Sequence, residues 1–475
     1  MLPCAAVAAL ALTVLSLAGL SLERTPAAGA ARANLAELRS FWAASGAAWA
    51  ALSVLWWRLA RRGPGGASFA RAALVVLAVA GGARVAVLVG HDPALSDDVY
   101  RYALDGRTLA AGRNPHLASP EERLDALASG APARFPGEPA LLARVNNPEL
   151  HTIYLPASQW TFAAIALVLP AGVTDPGAVA LACRAGLTAI EMLAIVLLLL
   201  LLRRAGRSAW WAALYAWHPL PLAEIAGSGH QDAVGIALLL AALLVHARRP
   251  EAAVRWTAPV ALASLVKPVA AAAALFMLRG RGARAWWRCA AAAAITALLA
   301  AGPLLLAHGL APLRTLASTA GRFTLKWAHF GGAYELLLWL IERAAPAWSG
   351  DARERAARAL CALALGAVLA VLWRRERRAV AACAAMLFAM VVLSPAAHPW
   401  YLLWPLVLLP LAPHPAVWIA SLTLPWGYAA LADPRAWTVP APLLVIAWAP
   451  VYAALLWRGA AVGRYAAAGE RGADG

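Results

Sequence analysis

Charge is scarce in this chain. Only 14% of its 475 residues are Asp, Glu, Lys or Arg, where an ordinary globular protein carries roughly a quarter. Lysine is almost absent: Lys267 and Lys326 are the only two among 41 basic residues. Cysteine is equally thin, and Cys4, Cys183, Cys289, Cys361 and Cys383 all lie in or beside apolar runs with no CxxC pair. These absences exclude an intrinsically disordered chain, a disulfide-built secreted fold and a cytosolic enzyme. No Walker A loop, dinucleotide-binding fingerprint, HExxH or GxSxG is present, which removes support for an ATP-driven pump, nucleotide-sugar chemistry and serine hydrolysis.

What the chain has instead is apolar length: 62% hydrophobic residues and a mean hydropathy of +0.66. Runs such as 187–202, whose single charge is Glu191, match the roughly 20 apolar residues that cross a bilayer. The expectation is an all-α polytopic membrane protein. Spans are expected near 2–20, 41–57, 71–90, 178–202, 209–223, 232–247, 287–307, 358–373, 379–394, 400–411, 415–431 and 440–457, about 12 in all. The first is read as an uncleaved helix, because no basic residue precedes it and no small-residue cleavage site follows.

The net charge of +17 is a topology signal. It resides in six arginine clusters between or after apolar runs: Arg58–Arg71, Arg203–Arg207, Arg248–Arg255, Arg279–Arg288, Arg374–Arg378 and the C-terminal 458–475, with Arg458, Arg464 and Arg471; the rest of the chain sums to zero. Basic residues mark cytoplasmic loops, and no basic stripe is interleaved with stacking aromatics, so nucleic acid is not an expected partner. With all six clusters inside, 155–171 reads as an outer interfacial helix. The 254–278 segment, with arginines at both ends and Lys267–Pro268 between, reads as a re-entrant hairpin.

The same orientation puts 91–150 outside. This loop holds nine acids and six arginines, a local charge of −3 in a protein of +17, and at 60 residues it is too long for a mere connector. Ser96 is expected as a helix N-cap with Asp97 and Asp98 in the first turn, the helix running to about Ala111 and stopping at Gly112. Asp97, Arg101 and Asp105 fall on one face, either as a surface salt-bridge ladder or as carboxylates serving a hydroxyl nucleophile. Glu224, His230 and Asp232 mark a second outer turn, either as helix caps or facing a cavity. Lys326 with His329, His398, Arg84 and Arg184 complete the outer polar set. Carboxylates for a hydroxyl and cations for an anion at one lipid–water boundary point to group transfer from a phosphate-bearing lipid. The tryptophans and tyrosine at 400–404 also suit an interfacial belt.

The segment SDDVYRYALDGRTLAAGRNP, followed by VNNPELHTIYLPASQ (145–159), GHQDAVG (229–235), LVKP (265–268) and SPAAHPWYLLWPL (394–406), resembles the GT-C glycosyltransferases, in the branch of bacterial polyprenol-phosphomannose-dependent mannosyltransferases. The resemblance implies a GT-C-like bundle of about 12 transmembrane helices plus a re-entrant hairpin and a large outer loop. It divides into a two-span extension (1–70), a catalytic module (71–410) and C-terminal spans with a cytoplasmic tail (411–475). It implies transfer of a hexose, mannose foremost, from a polyprenyl-phosphate donor to an envelope glycan or lipid acceptor, with inversion, on the outer face of the bacterial inner membrane. Asp97 or Asp98 resembles the catalytic acid, and sharing a face with Arg101 and Asp105 favours Asp97. The donor phosphate has as candidates Arg184, Arg84, Lys326, His398 and Lys267, with an Arg184–Glu191 pair as the structural alternative for Arg184. The acceptor or sugar side has Arg101, Asp105, Tyr154, Gln159, His230 and Asp232. No metal motif is visible, HxD alone being weak, and a divalent cation stays open as a cofactor. The competing function is a transporter or flippase of a lipid-linked or anionic solute, which charges within the spans would favour.

Overall fold

A computed structural model of the chain describes residues 2–18, 22–24, 31–61, 68–89, 95–433 and 437–471; Arg62, Asp92 and Asp474 lie outside these. Apart from a short antiparallel pair, Leu22–Arg24 with Ala31–Ala33, the described structure is helical. Four helices are long and apolar enough to cross a membrane: Phe69–Leu88, Pro176–Arg204, Ala283–Leu306 and Gly350–Arg375. A fifth crossing results if Pro219–Gly227 and Asp232–Arg248, bent by 120°, count as one. Leucines such as Leu298, Leu299 and Leu363 face outward from these helices, as a lipid-facing surface requires.

Among the described residues, the helices that meet this length and composition number four to five, against the 12 apolar runs expected from hydropathy. Proline breaks three of the remaining runs, because it removes a helix donor and clashes with the preceding turn. The 209–223 run divides into Ala209–Ala212, Ala213–Ala216 and Pro219–Pro221. The 400–411 run is a 3-10 turn, Pro399–Leu402, then Leu403–Leu408. The 415–431 run changes from α-helix Pro415–Thr423 to a 3-10 stretch, Leu424–Ala432, at Pro425. The helix within 155–171, Pro156–Val168, has 13 residues; at about 1.5 Å per residue it is too short to cross.

Residues 254–278 do fold as a hairpin. Helices Ala253–Ser264 and Ala271–Leu278 flank the turn at Lys267. Arg281 Nη2 donates to the Pro250 carbonyl at 2.5 Å, which brings the two ends of the segment together. Other arginines likewise close helix C-termini, where carbonyls lack intrahelical donors. Arg204 donates to Ala247 O, Arg279 to Leu372 O and Trp373 O, and Arg207 to Pro410 O. Four of the arginine clusters therefore meet at one end of the bundle, and the long loop lies at the other.

Between the ends the bundle is held by a buried ion pair. Arg84 donates to Glu191 through Nε and Nη2 at 2.7 and 2.6 Å, and both side chains are essentially inaccessible. Arg84 Nη1 also donates to the Ala216 carbonyl at 2.8 Å. About two helical turns from Glu191 along the same helix, Arg184 donates to Ala226 O at 2.9 Å and Val87 O at 3.2 Å. The Ala216 and Ala226 carbonyls belong to broken backbone and that of Val87 to the last turn of its helix, and in a low-dielectric setting such carbonyls must find donors. Removing one partner strands a buried charge, at a typical cost of about 3–5 kcal/mol. Glu191→Ala is therefore expected to lower the thermal unfolding midpoint in detergent sharply. An Arg84→Met/Glu191→Met double variant, with no stranded charge but with the Ala216 carbonyl left without this donor, is expected to recover only part of that loss.

A candidate active site at the outer loop

The Asp98–Ala110 helix stops at Gly112 as expected, but it starts one residue later than an N-cap at Ser96 would place it. Asp97 occupies the N-cap position, Ser96 Oγ accepts from the Asp98 amide at 3.3 Å, and Gly112 follows the helix with φ +72°. Asn146 is the residue that organises its start. Its Nδ2 donates to Asp97 Oδ1 at 2.6 Å and to Asp98 Oδ1 at 2.9 Å, so one amide holds both carboxylates. The next residue, Asn147, adopts φ +45°, a left-handed conformation that Asn tolerates better than most. Arg101 Nη2 donates to the Asn147 carbonyl at 3.2 Å, fixing that turn against the helix.

Asp105 is not part of a surface ladder. It is buried, and Oδ2 accepts from Thr152 Oγ1 at 2.5 Å and Gln159 Nε2 at 2.9 Å. Burial pushes this carboxyl above the usual range, against the opposing pull of Arg101 and the two hydrogen bonds. Tyr154 meets Tyr102 edge-on at 4.8 Å, and Tyr102 stacks on Phe162 at 4.7 Å. Gly106 permits this packing, since a Cβ there would come within 2.4 Å of the Phe162 carbonyl oxygen.

The second half of the site comes from three distant segments. Asp232, the first residue of the Asp232–Arg248 helix, accepts at Oδ1 from Lys267 Nζ at 2.7 Å and Trp404 Nε1 at 2.5 Å. The Lys267 ammonium also lies 4.2 Å from the centre of the Tyr401 ring. His230 is 3.4 Å from Glu224, whose two carboxyl oxygens share the single Tyr428 hydroxyl proton. The preceding Gly229 has φ +80°, and a Cβ on it would meet Arg184 and Val99 at 2.9–3.0 Å; only glycine fits that turn. Ser228 Oγ accepts from the Leu95 amide, tying the turn to the outer loop. Asp98 and Asp232 both act electrostatically on Tyr102, His230 and Tyr401, so the two halves face one another.

Four rings form a continuous column beside them. His329 stacks on His398 at 4.8 Å, His398 on Trp400 at 4.3 Å, and Trp400 on His230 at 4.2 Å. His398 Nε2 accepts from Trp327 Nε1 at 3.2 Å. Burial lowers the His329 pKa to about 4, and His398 is held well below its ordinary value by burial and by His329, His230 and Lys267.

The chain matches two family descriptions: alpha-(1->6)-mannopyranosyltransferase, N-terminal domain, over residues 3–280, and MptB C-terminal domain over residues 349–462. The first covers more than half of the chain. The protein belongs to the MptA_B mannosyltransferase family. No curated protein and no solved structure matches it. It is a membrane glycosyltransferase, with sugar donor and acceptor substrates. Asp97, Asp98, Asn146, His230, Asp232 and Lys267 lie within the first matched region, and His398, Trp400, Tyr401 and Trp404 within the second.

Three sequence expectations for this mannosyltransferase need correction. Glu191 pairs with Arg84 and not with Arg184, so Arg84 is engaged in the span wall and is not a phosphate cation; Arg184 holds broken backbone beside it. Lys326 sits on the surface against Asp351 at 3.2 Å, both about two-thirds exposed. His398 is a buried ring accepting a hydrogen bond at Nε2, and therefore a neutral group, not a cation. Asn146 and Trp327 were not singled out from sequence, and Trp400 and Trp404 were read as an interfacial belt. The Asn–Asn–Pro turn at 146–148 was the available cue for the first. Among the described residues, no three His, Cys, Asp or Glu side chains converge as a metal site.

The buried imidazoles set a pH dependence. Unfolding lets His329 take a proton below about pH 6.5, whereas the fold resists it until about pH 4. Stability is therefore fully present above the unfolded value and declines as pH falls between the two, by at most about 1.4 kcal/mol per pH unit for one histidine. Thermal unfolding in detergent from about pH 7 to about pH 4.5 is expected to show this slope, and His329→Gln is expected to flatten it.

Proposed function

We propose that this membrane glycosyltransferase moves a mannosyl group from a polyprenyl-phosphate donor to a hydroxyl of an envelope glycan or lipid acceptor. The observation that carries the reading is the shared clamp of Asn146 on Asp97 and Asp98, opposite Lys267. Asp98, half-buried and acting on His230 and Tyr401 across the site, serves as general base. Asp97, deeper and at the N-cap, orders the loop.

The Asp98 carboxylate takes the acceptor's hydroxyl proton as that oxygen attacks C1 of the sugar. The bond from C1 to the phosphate oxygen breaks, and the lipid phosphate leaves with the electron pair. Lys267, exchanging its bond to Asp232 for the phosphate, meets the developing charge; Trp404 keeps Asp232 satisfied. Attack from the opposite face converts a β-linked donor into an α-linked product, the linkage that an alpha-(1->6)-mannopyranosyltransferase makes. The alignment and the fixed charges supply the catalysis. Arg101, Asp105, Tyr154 and Gln159 shape the acceptor side by fixing the loop. His230 and Asp232 border the sugar.

The arginine-rich end of the bundle faces the cytoplasm of a bacterial inner membrane, so the site faces outside. The transport reading loses its main support, because Glu191, the clearest mid-span charge, is closed by Arg84.

In proteoliposomes given radiolabelled polyprenyl-phosphate-mannose, Asp98→Asn is expected to lower turnover about 10²–10⁴-fold, the range for a lost general base, with donor KM little changed. Near-normal turnover in Asp98→Asn with collapse in Asp97→Asn would move the base to Asp97. Lys267→Ala is expected to raise donor KM about 10- to 100-fold, as loss of a charge-assisted hydrogen bond does. Reporter fusions after Arg207, Arg249, Arg284 and Arg378 are expected to read cytoplasmic, and those at Gly130 and Ala397 external. An external reading after Arg284 would mean that 254–278 crosses fully, and would invert the assignment downstream of it.

A further inference from the structure

The ring column has a fixed hydrogen-bond sense at one member. An indole N–H only donates, and the Trp327 indole nitrogen lies 3.2 Å from His398 Nε2. That nitrogen therefore carries the lone pair, and the ring's proton resides on Nδ1. The arrangement around this bond is well braced. Arg358 Nη1 donates to the carbonyls of Thr324 at 3.1 Å and Trp327 at 3.2 Å. Two residues on, the His329 amide donates to Pro395 O and its carbonyl accepts from the Ala397 amide, at 3.0 and 2.8 Å. The segments bearing Trp327 and His398 are thus clamped to each other beside the very bond in question.

The surroundings of His398 favour the same protonation state. His329 and Trp400 cover its faces at 4.8 and 4.3 Å, and Tyr401 stands edge-on at 5.5 Å. The titratable groups acting on it are His329, His230 and Lys267, which offer no anion to offset a second positive charge.

We propose that Trp327 is a positioning residue that holds His398 as the neutral Nδ1–H tautomer, so that His398 serves the donor phosphate as a hydrogen-bond donor and leaves the positive charge to Lys267. This rests on the reading of the site as the donor-phosphate site. A neutral donor gains strength as charge develops on the leaving phosphate. A second fixed cation would hold substrate and product alike and add less to turnover.

Asparagine and glutamine separate the two ring nitrogens, since the Asn amide N–H replaces Nδ1–H and the Gln amide N–H replaces Nε2–H. With radiolabelled polyprenyl-phosphate-mannose, His398→Asn is expected to keep turnover within about tenfold of wild type, and His398→Gln to fall at least about tenfold lower, the size of one neutral hydrogen bond. Trp327→Phe frees Nε2 for a proton. It is expected to give the kcat/KM profile a new acid limb moving toward the ordinary imidazole value of about 6.5, absent in wild type, with most activity retained above it. Gln matching or exceeding Asn, or a wild-type pH profile in folded Trp327→Phe, overturns the proposal. If Trp327→Phe does not fold, the Asn and Gln pair decides alone. Wild-type donor KM and turnover in His398→Ala would instead overturn the donor-phosphate reading on which the proposal stands.

Discussion

Everything else in this bundle depends on satisfying broken backbone at membrane depth. Residues 213–231 change from short helices to a π-helical turn at Leu222–Gly227 and back to helix at Asp232. Each change frees carbonyls that water cannot reach. Arg84 and Arg184, from two separate long helices, donate to Ala216 and Ala226, and Glu191 neutralises Arg84. A buried ion pair is seldom worth much as stability compared with an apolar replacement. Here its value is geometric: it lets the chain break where Glu224, His230 and Asp232 have to point into one space.

The same economy appears at the hairpin. Lys267 stands at the tip of two short helices whose ends are drawn together by Arg281 and Pro250. It reaches Asp232 and Tyr401 from there. An ammonium that already has a carboxylate and an aromatic face is partly desolvated before any ligand arrives, and it can exchange one anion for another with little reorganisation. Trp404 donating to the same Asp232 oxygen keeps that carboxylate from being stranded during the exchange.

Arginine does almost all the cationic work elsewhere, and the reason is visible at each site. Arg204, Arg207, Arg279, Arg281 and Arg358 each donate to main-chain carbonyls. The planar, always-charged guanidinium suits several fixed acceptors at once. Lysine, a compact point charge, is retained at the tip of the hairpin and on the surface at Lys326. The proposed role of Lys267 against a phosphate uses that difference.

Much of this was legible in the sequence, where the physics is local. Apolar length and the six arginine clusters gave the membrane class and the common end on which four clusters meet. Ser96, Asp97, Asp98 and Gly112 bounded a helix to within one residue, and Lys267–Pro268 marked a hairpin tip. Local patterns also misled: hydropathy counts apolar residues but does not register that Pro219, Pro221, Pro405 and Pro425 interrupt them. What tertiary structure alone decided are the pairings. Arg84 finds Glu191 across 107 positions of chain, Asn146 clamps two aspartates nearly 50 positions away, and Trp404 meets Asp232 across 172. A side chain's partner at such separations is fixed by how helices pack, and no periodicity or spacing records it. The residues that could do chemistry were present in the sequence; which of them share a site was settled by packing.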